Sequence, residues 1–106
     1  MRDVDAVFDA LADGNRRELI RVLAARDTAT ATELAALLPV TRQAVAKHLG
    51  VLAHAGLVDG ERVGREHRYR LDPSPLSDAV RWIDGVGAEW DRRLAGLDRH
   101  LRRRRN

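Results

Sequence analysis

The chain has 106 residues, 33% of them charged and 44% hydrophobic, a composition typical of one globular domain and unlike a disordered segment. It contains no cysteine, which excludes disulfide bonds, cysteine-based zinc sites and thiol nucleophiles. The net charge is only +3, but residues 99–105 carry five arginines and no acid, which indicates either an anionic partner or a solvated tail. There is no signal-peptide pattern and no apolar run near the roughly 18 residues of a membrane helix, so we expect a single cytoplasmic domain over residues 1–106.

Apolar residues at helical spacing predict four helices in the first half of the chain. Thr30 and Glu33 form the pattern of a capping box before the third helix, and Thr41 is placed to cap the fourth. Gly56 suits the left-handed residue that ends a helix. The first helix carries an apolar stripe that comprises Val4, Val7, Phe8 and Leu11. The predicted ranges are 3–12, about 16–25, 31–38 and 41–55.

After Gly56 the pattern changes to that of a strand and then returns to that of a helix. His67, Tyr69 and Leu71 alternate with arginines, which predicts a strand, and Gly64 falls where the tip of a tight hairpin would lie. From about residue 76 to 101, apolar residues recur at alternating steps of four and three, which predicts one long helix. We name these residues the apolar seam; they are Leu76, Val80, Ile83, Gly87, Trp90, Leu94, Leu97 and Leu101.

The order of these elements, four helices, a β-hairpin and a long helix, indicates the fold class. Only about three residues join the third and fourth helices, which is the connection length of a helix-turn-helix. A hairpin directly after the second of these helices is a wing. We therefore predict a mostly α winged helix-turn-helix domain with a small β-hairpin, whose fourth helix enters the major groove of double-stranded DNA.

Three stretches of the sequence resemble the ArsR/SmtB family of bacterial winged-helix repressors. They are ALADGNRRELIRVL, TRQAVAKHLGVLAHAGLV and VGREHRYRL, and the resemblance extends over essentially the whole chain. The C-terminal pattern is similar to a subgroup without cysteine ligands. The resemblance implies a bacterial transcriptional repressor that binds DNA.

The polar side of the fourth helix offers candidate contacts to bases and phosphates. Arg42 and Gln43 lie in its first turn, where arginine can bind guanine and glutamine can bind adenine. Thr41 can also donate to a phosphate, Ala46 can lie against a thymine methyl group, and Lys47 can bind a phosphate. The alternative is that these are solvated polar residues and that Ala46 reflects helix propensity alone.

The predicted hairpin carries further arginines. Arg65 lies at its tip, from which it can enter a narrow minor groove, and Arg62 and Arg68 lie on its strands. The alternative for these three residues is a solvated hairpin without a DNA contact.

Two apolar faces predict a homodimer through the first and last helices. The apolar seam exceeds what one side of a small core requires, and the stripe of the first helix has no obvious partner left within the chain. Pairing across a twofold axis would place two recognition helices about one DNA turn apart, so the operator should be an imperfect palindrome. The predicted interface residues are Val4, Val7, Phe8, Leu11, Val80, Ile83, Gly87, Trp90, Leu94 and Leu97.

No metal, cofactor or active site is expected. The metal sensors of the resembling family use cysteines on the third helix, or sets of Asp, His and Glu on the last one. Here the third helix reads ELAALL, and the last helix has a single histidine among carboxylates at solvent-facing spacing. The residues also lack a nucleophile with a paired acid and base. The leading hypothesis is a sequence-specific repressor, and the alternative is a winged-helix protein-interaction module that does not read DNA.

Overall fold

The computed structural model of the chain describes residues 3–105 and, within that range, has five helices and one three-stranded antiparallel sheet. The helices are α1 (Val4–Leu11), α2 (Gly14–Ala24), α3 (Ala31–Leu37), α4 (Arg42–His54) and α5 (Ser74–Arg105). The strands are β1 (Ala29–Thr30), β2 (Val58–Val63) and β3 (Glu66–Leu71). The predicted winged helix-turn-helix, with four helices before the hairpin and a long helix after it, is confirmed.

Polar side chains cap the N-termini of α2 and α4. Asp13 Oδ1 accepts hydrogen bonds from the backbone N–H groups of Asn15 and Arg16, at 2.8 and 3.2 Å, so α2 begins earlier than predicted. Thr41 Oγ1 accepts from the backbone N–H of Ala44 at 3.0 Å, which confirms its predicted role as the cap of α4.

The last helix begins earlier and ends later than the sequence pattern predicted. Asp72 Oδ1 accepts from the backbone N–H of Ser74 at 3.0 Å, and Pro75 lies in the first turn, where a missing N–H breaks no helical hydrogen bond. At the other end the helical backbone continues to Arg105, because arginine is a strong helix former and is favoured at the negative end of the helix dipole.

Two arginines join the end of α1 to the start of α2. Arg16 donates from Nε to the carbonyl oxygen of Ala10 at 2.8 Å and from Nη2 to that of Asp9 at 2.9 Å. Arg17 Nη1 donates to the carbonyl oxygen of Leu11 at 2.6 Å. The last carbonyl groups of a helix have no partner within it, so these bonds both complete α1 and orient it against α2.

The sheet contains one strand, β1, that the sequence pattern did not predict. Ala29 pairs with Tyr69 and Thr30 with Arg68, so the strand order is β1-β3-β2 and β3 is central. Two residues are too few for an alternating pattern to be recognised. Gly64, with a φ of 63°, forms the hairpin tip at the predicted position.

The core lies between α1, α2, α4 and the first turns of α5. Val45, Leu49 and Leu52 of α4 are buried, as their spacing predicted. Val7 of α1 is also fully buried, because α1 packs against helices of its own chain. This corrects the predicted place of Val7 at a dimer interface, since a side chain without exposed surface cannot contact a second subunit.

Helix α5 packs on α1 at its start and then projects from the body. The rings of Phe8 and Trp82 meet edge to face with centroids 5.5 Å apart, so part of the α1 stripe has a partner within the chain, contrary to the expectation from the sequence. Ala79 is 3% exposed, whereas Trp90 is 57% exposed. The described part of the molecule is accordingly elongated, with extents of 74 × 30 × 20 Å.

Candidate nucleic-acid interface

An open groove separates the first half of α4 from the wing, which is the β2–β3 hairpin of residues 58–71. Helix α4 contributes Arg42, Gln43 and Ala46 to this groove, and the tip of the wing contributes Arg65. These four residues, predicted from different parts of the sequence, therefore line one surface. Residues of β1, α3 and β3 complete the groove; they are Thr30, Ala31, Thr32, Glu33, Glu66, His67 and Tyr69.

The other predicted contacts lie on the same elements, outside the groove lining. Lys47 is exposed on α4, and Arg62 is exposed on β2. Thr41 is exposed at the start of α4, where its hydroxyl group accepts the capping hydrogen bond.

Four cationic side chains at and beside this groove have no acidic partner among residues 3–105. They are Arg42, Lys47, Arg62 and Arg65, all of which are exposed. On the same wing, in contrast, Arg70 lies 3.8 Å from Glu61. Unpaired cations around an open groove attract a polyanion, and their attraction weakens as salt is added.

Arg68, the third arginine of the hairpin predicted to contact DNA, is bound by residues of its own chain. Its Nε donates to Thr28 Oγ1 at 2.7 Å, Nη2 lies 3.1 Å from Glu33 Oε1, and Nη1 lies 3.2 Å from Glu66 Oε1. Only 23% of its side chain is exposed. These contacts occupy all three nitrogen atoms of the guanidinium group, which holds β3 to α3 and to the segment before β1, and a DNA contact by Arg68 stays a prediction.

A stacked pair of rings forms the wing side of the groove. The centroids of His67 and Tyr69 are 4.6 Å apart, and their planes differ by 20°. Gly60 on β2 leaves room for this pair, because a Cβ atom at that position would collide with the imidazole of His67. The sequence analysis did not select these residues, although the two-residue period of β3 already placed them on one face.

Comparison with known proteins gives consistent matches. A family model described as a helix-turn-helix domain matches residues 11–61. The HTH-type transcriptional regulator Rv2034 of Mycobacterium tuberculosis is 41% identical over 95 residues, which cover 90% of this chain and 85% of that protein. The transcriptional repressor SdpR of Bacillus subtilis is 29% identical over 77 residues, which cover 73% of this chain and 84% of SdpR. In solved structures, an ArsR-like transcriptional regulator from Rhodococcus sp. RHA1 is 45% identical with a TM-score of 0.85, and the match covers 91% of this chain and 87% of that one.

The chain belongs to the ArsR family of transcriptional regulators. It is a DNA-binding regulator with a winged helix-turn-helix, and the family resemblance noted in the sequence is confirmed. ArsR-family proteins are regulators and not enzymes, in agreement with the prediction. The alternative of an interaction module that does not bind DNA loses its support.

Two further properties of this ArsR-family chain concern metals and membranes. Across residues 3–105, no group of three or more His, Asp or Glu side chains is arranged to hold a metal ion. None of the described helices is both long and apolar enough to cross a membrane. Helix α5 has 32 residues, but charged side chains occur along its whole length.

Glu33 connects α3 to the wing. Its Oε1 accepts from the backbone N–H of Thr30 at 2.9 Å, which completes the predicted capping box, and the same oxygen pairs with Arg68. The hydrogen bond from the Thr30 N–H holds the pKa of Glu33 below its ordinary value, helped by the Thr30 hydroxyl group and by Arg68 and opposed by desolvation. Because the pKa is lower in the folded state, the ionised carboxylate stabilises the fold at neutral pH. That contribution is lost as the pH falls through the lowered pKa.

We expect the substitution Glu33→Gln to lower the thermal unfolding midpoint at about pH 7 and to make stability fall less steeply in acid. Glutamine keeps an acceptor for the Thr30 N–H but loses the charge that pairs with Arg68. Thermal unfolding at a series of pH values measures both effects. Glu18→Gln is the matched control, because Glu18 makes only a surface ion pair with Arg21 at 3.9 Å. Equal effects of the two substitutions would contradict the special role of Glu33.

Proposed function

We propose that this ArsR-family protein is a homodimeric repressor that reads a palindromic operator with α4 and grips the flanking DNA with the wing. The observation that carries the proposal is the set of unpaired cations at and beside the groove. DNA phosphates supply the negative charge that these side chains lack among residues 3–105, and release of the counterions of DNA favours binding.

In this proposal the first turn of α4 contacts the bases. Arg42 and Gln43 are exposed there and line the groove, so their side chains can reach base edges once α4 enters the major groove. Ala46, one turn further, is small enough to admit the methyl group of a thymine. Lys47 supplies a phosphate contact, and Thr41 offers its hydroxyl group to a phosphate while it caps the helix.

The wing supplies the second set of contacts. Arg65 at the hairpin tip enters the minor groove beside the operator half-site, where a narrow groove has the most negative potential. Arg62, exposed on β2, binds a phosphate. Arg68 makes no DNA contact in this proposal and instead holds the wing to α3 through Glu33.

Dimerisation through α5 is supported by the exposed part of the apolar seam. Val80, Ile83, Trp90 and Leu97 are each at least half exposed in the single chain, an apolar surface that soluble monomers rarely present. Nothing lies within 4 Å of the position of a Cβ atom on Gly87, which leaves space for a close approach of a second helix. The proposed interface residues are Val4, Phe8, Leu11, Val80, Ile83, Gly87, Trp90, Leu94 and Leu97.

Repression is proposed by analogy with SdpR, whose name describes a transcriptional repressor. A dimer bound to an operator within a promoter blocks the polymerase by occupying the site. Such a protein acts in the cytoplasm, where the bacterial chromosome lies.

Control by a metal ion is not part of the proposal. The chain has no cysteine, and its histidines and carboxylates form no cluster within the described residues. Transition-metal sensing sites usually need more nitrogen or sulfur ligands than these residues offer.

We expect Arg42→Ala and Gln43→Ala to weaken operator binding by about 1–3 kcal/mol each while changing binding to a scrambled duplex little. Lys47→Ala should weaken both duplexes alike, because a phosphate contact carries no sequence information. Titrations of both duplexes at one fixed salt concentration measure this, with Arg26→Ala as a control outside the interface. If Arg42 and Gln43 variants lose equal affinity for both duplexes, these residues do not read bases.

We expect the wild-type protein to sediment as a dimer at micromolar concentration and Trp90→Ala to dissociate it. Removal of a large aromatic side chain from a buried contact costs about 3–5 kcal/mol. Because Trp90 is exposed in the single chain, we expect this cost to weaken dimerisation and not the folding of the subunit. Leu37→Ala is the control, because Leu37 is 50% exposed on α3, away from the seam. A wild-type species of 11.9 kDa with full operator affinity would overturn the dimer.

We expect operator affinity to stay the same when zinc, nickel, copper or arsenite is added, and when a chelator is added. Binding curves with and without each additive, together with metal analysis of the purified protein, test this. A stoichiometric bound metal with a tenfold change in affinity, which is about 1.4 kcal/mol of coupling, would overturn metal independence.

A further inference from the structure

The groove between α4 and the wing is where a DNA backbone strand has to pass. In the proposed complex, α4 lies in the major groove and Arg65 lies in the adjacent minor groove. In double-stranded DNA a sugar–phosphate strand separates these two grooves, so this strand crosses the space between α4 and the wing tip. We call the lining residues of β1, α3 and β3 the groove floor; they are Thr30, Ala31, Thr32, Glu33, Glu66, His67 and Tyr69.

The two carboxylates of the groove floor are bound within the chain. Glu33 lies 3.1 Å from Nη2 of Arg68, and Glu66 lies 3.2 Å from Nη1 of the same side chain. Because the guanidinium group offsets part of their charge, the floor repels a phosphate strand less than two free carboxylates would. Hydrogen-bond donors that can meet a phosphate include the side chains of Thr32, His67 and Tyr69.

His67 is the one residue of the groove floor that can gain a positive charge. Its side chain is exposed and forms no ion pair among the described residues. The imidazole is stacked on the ring of Tyr69, with centroids 4.6 Å apart, and Nδ1 lies 3.5 Å from the Tyr69 hydroxyl oxygen. Histidine changes its charge within the range from about pH 5 to about pH 8, so the charge of the floor depends on pH.

Gly60 leaves the space in which the imidazole lies. It is the cross-strand partner of Tyr69, and a Cβ atom at this position would collide with Nε2 of His67 and lie 3.2 Å from Cε1 of Tyr69. The φ of Gly60 is not in the left-handed region, so the backbone would accept alanine here. The absent side chain therefore matters for the position of the imidazole on the groove side of the wing.

Charged groups of both signs surround His67. They are Arg62, its cross-strand partner on β2, Arg65 and Glu66 on the wing, Glu33 on α3 and Arg42 on α4. The three arginines oppose a positive charge on the imidazole and the two glutamates favour it, so their influences oppose each other in the free protein. A phosphate strand in the groove adds negative charge alone, and it therefore favours the charged imidazole.

We propose that His67 binds a phosphate of the strand that crosses the groove, and that it does so as the imidazolium, so that operator affinity increases as the pH falls. The proposal rests on the DNA-binding mode proposed above and adds a proton to it. Each subunit takes up a proton at His67 when DNA binds, because the phosphate stabilises the charged ring. A complex that holds more protons than its free components becomes tighter as protons become more available. Stacking on Tyr69 and the space over Gly60 hold the ring in place.

Operator titrations at about pH 6 and about pH 8 test the contact. We expect the wild type to bind about fivefold more tightly at the lower pH. His67→Gln cannot gain a charge, so it should match the wild type at about pH 8 and lose most of the increase. His67→Lys is charged at both values and should bind at about pH 8 as tightly as the wild type does at about pH 6. His54→Gln is the matched control, because His54 is exposed at the end of α4 and does not line the groove.

The salt dependence and Gly60→Ala give readouts that a simple loss of stability would not move. Each phosphate contact adds about 0.9 to the slope of log affinity against log salt concentration. The wild-type slope should therefore be steeper at about pH 6 than at about pH 8, whereas the slope of His67→Gln should be the same at both. Gly60→Ala displaces the imidazole and should reduce the pH response. When it is added to His67→Gln, it should change affinity little further.

The outcomes separate this contact from the proposed function. Preference for the operator over a scrambled duplex at about pH 8 tests the function, and loss of that preference in the wild type overturns it. An intact preference with no pH response overturns the His67 contact alone. An unchanged pH response in His67→Gln also overturns the contact, as does weaker binding of His67→Lys than of the wild type at about pH 8. A full pH response in Gly60→Ala contradicts the role of Gly60 in positioning the ring.

Discussion

Arg68 is the side chain on which the geometry of the candidate DNA-binding groove depends. One guanidinium group bonds to Thr28 before β1, to Glu33 on α3 and to Glu66 on the wing. It therefore joins the helix-turn-helix to the hairpin, the two parts of the fold between which the groove lies, although Arg68 itself does not line the groove. Glu33 is bound in turn to the N-cap of its own helix, so the start of α3 and the position of the wing are coupled. Substitution of Arg68 or Glu33 is therefore expected to alter the shape of the groove while Arg42, Gln43 and Arg65 stay unchanged.

Whether an arginine is available to bind an anion depends on the acidic residues beside it. Arg68 and Arg70 lie on the central strand of the sheet and face glutamates, so their charges are largely balanced within the chain. Arg42 and Arg65 lie at exposed ends of their elements and have no such partner among the described residues. The net charge of +3 is small, and the affinity for a polyanion comes from where unpaired cations are placed. This placement is why we propose the groove, and not the whole surface, as the nucleic-acid interface.

Helix α5 contributes both to the small core of the chain and to a long apolar seam outside it. Its first turns close the core of the single chain, through Pro75 and Ala79, while the remaining seam stays in solvent. Exposed apolar residues over this length make a lone chain prone to association, and a twofold partner is the simplest closed arrangement that covers them. In the proposed homodimer, the same helix would also set the spacing between the two recognition helices, which must match the spacing of the half-sites in a palindromic operator.

Much of the fold was predictable because its signals are local. Helical spacing, the Thr30–Glu33 capping box, the Thr41 cap and the glycine at the hairpin tip each depend on residues within a few positions of one another. The family, and with it DNA binding, could be inferred from three continuous stretches of the sequence. The sequence also selected Arg42, Gln43, Ala46 and Arg65, which line the same groove.

Only the tertiary structure decided the contacts between residues distant in sequence. The strand β1 is too short to leave a pattern, and the bond between Arg68 and Thr28 spans 40 positions. No spacing rule distinguishes Arg68 from the exposed arginines of the same hairpin, because the difference lies in which acids the fold brings beside it. For the same reason the sequence placed Val7 at an interface between subunits, whereas packing of α1 against its own chain buries it. Local sequence determined the elements and their caps, and long-range packing determined which of their side chains remain free to bind a partner.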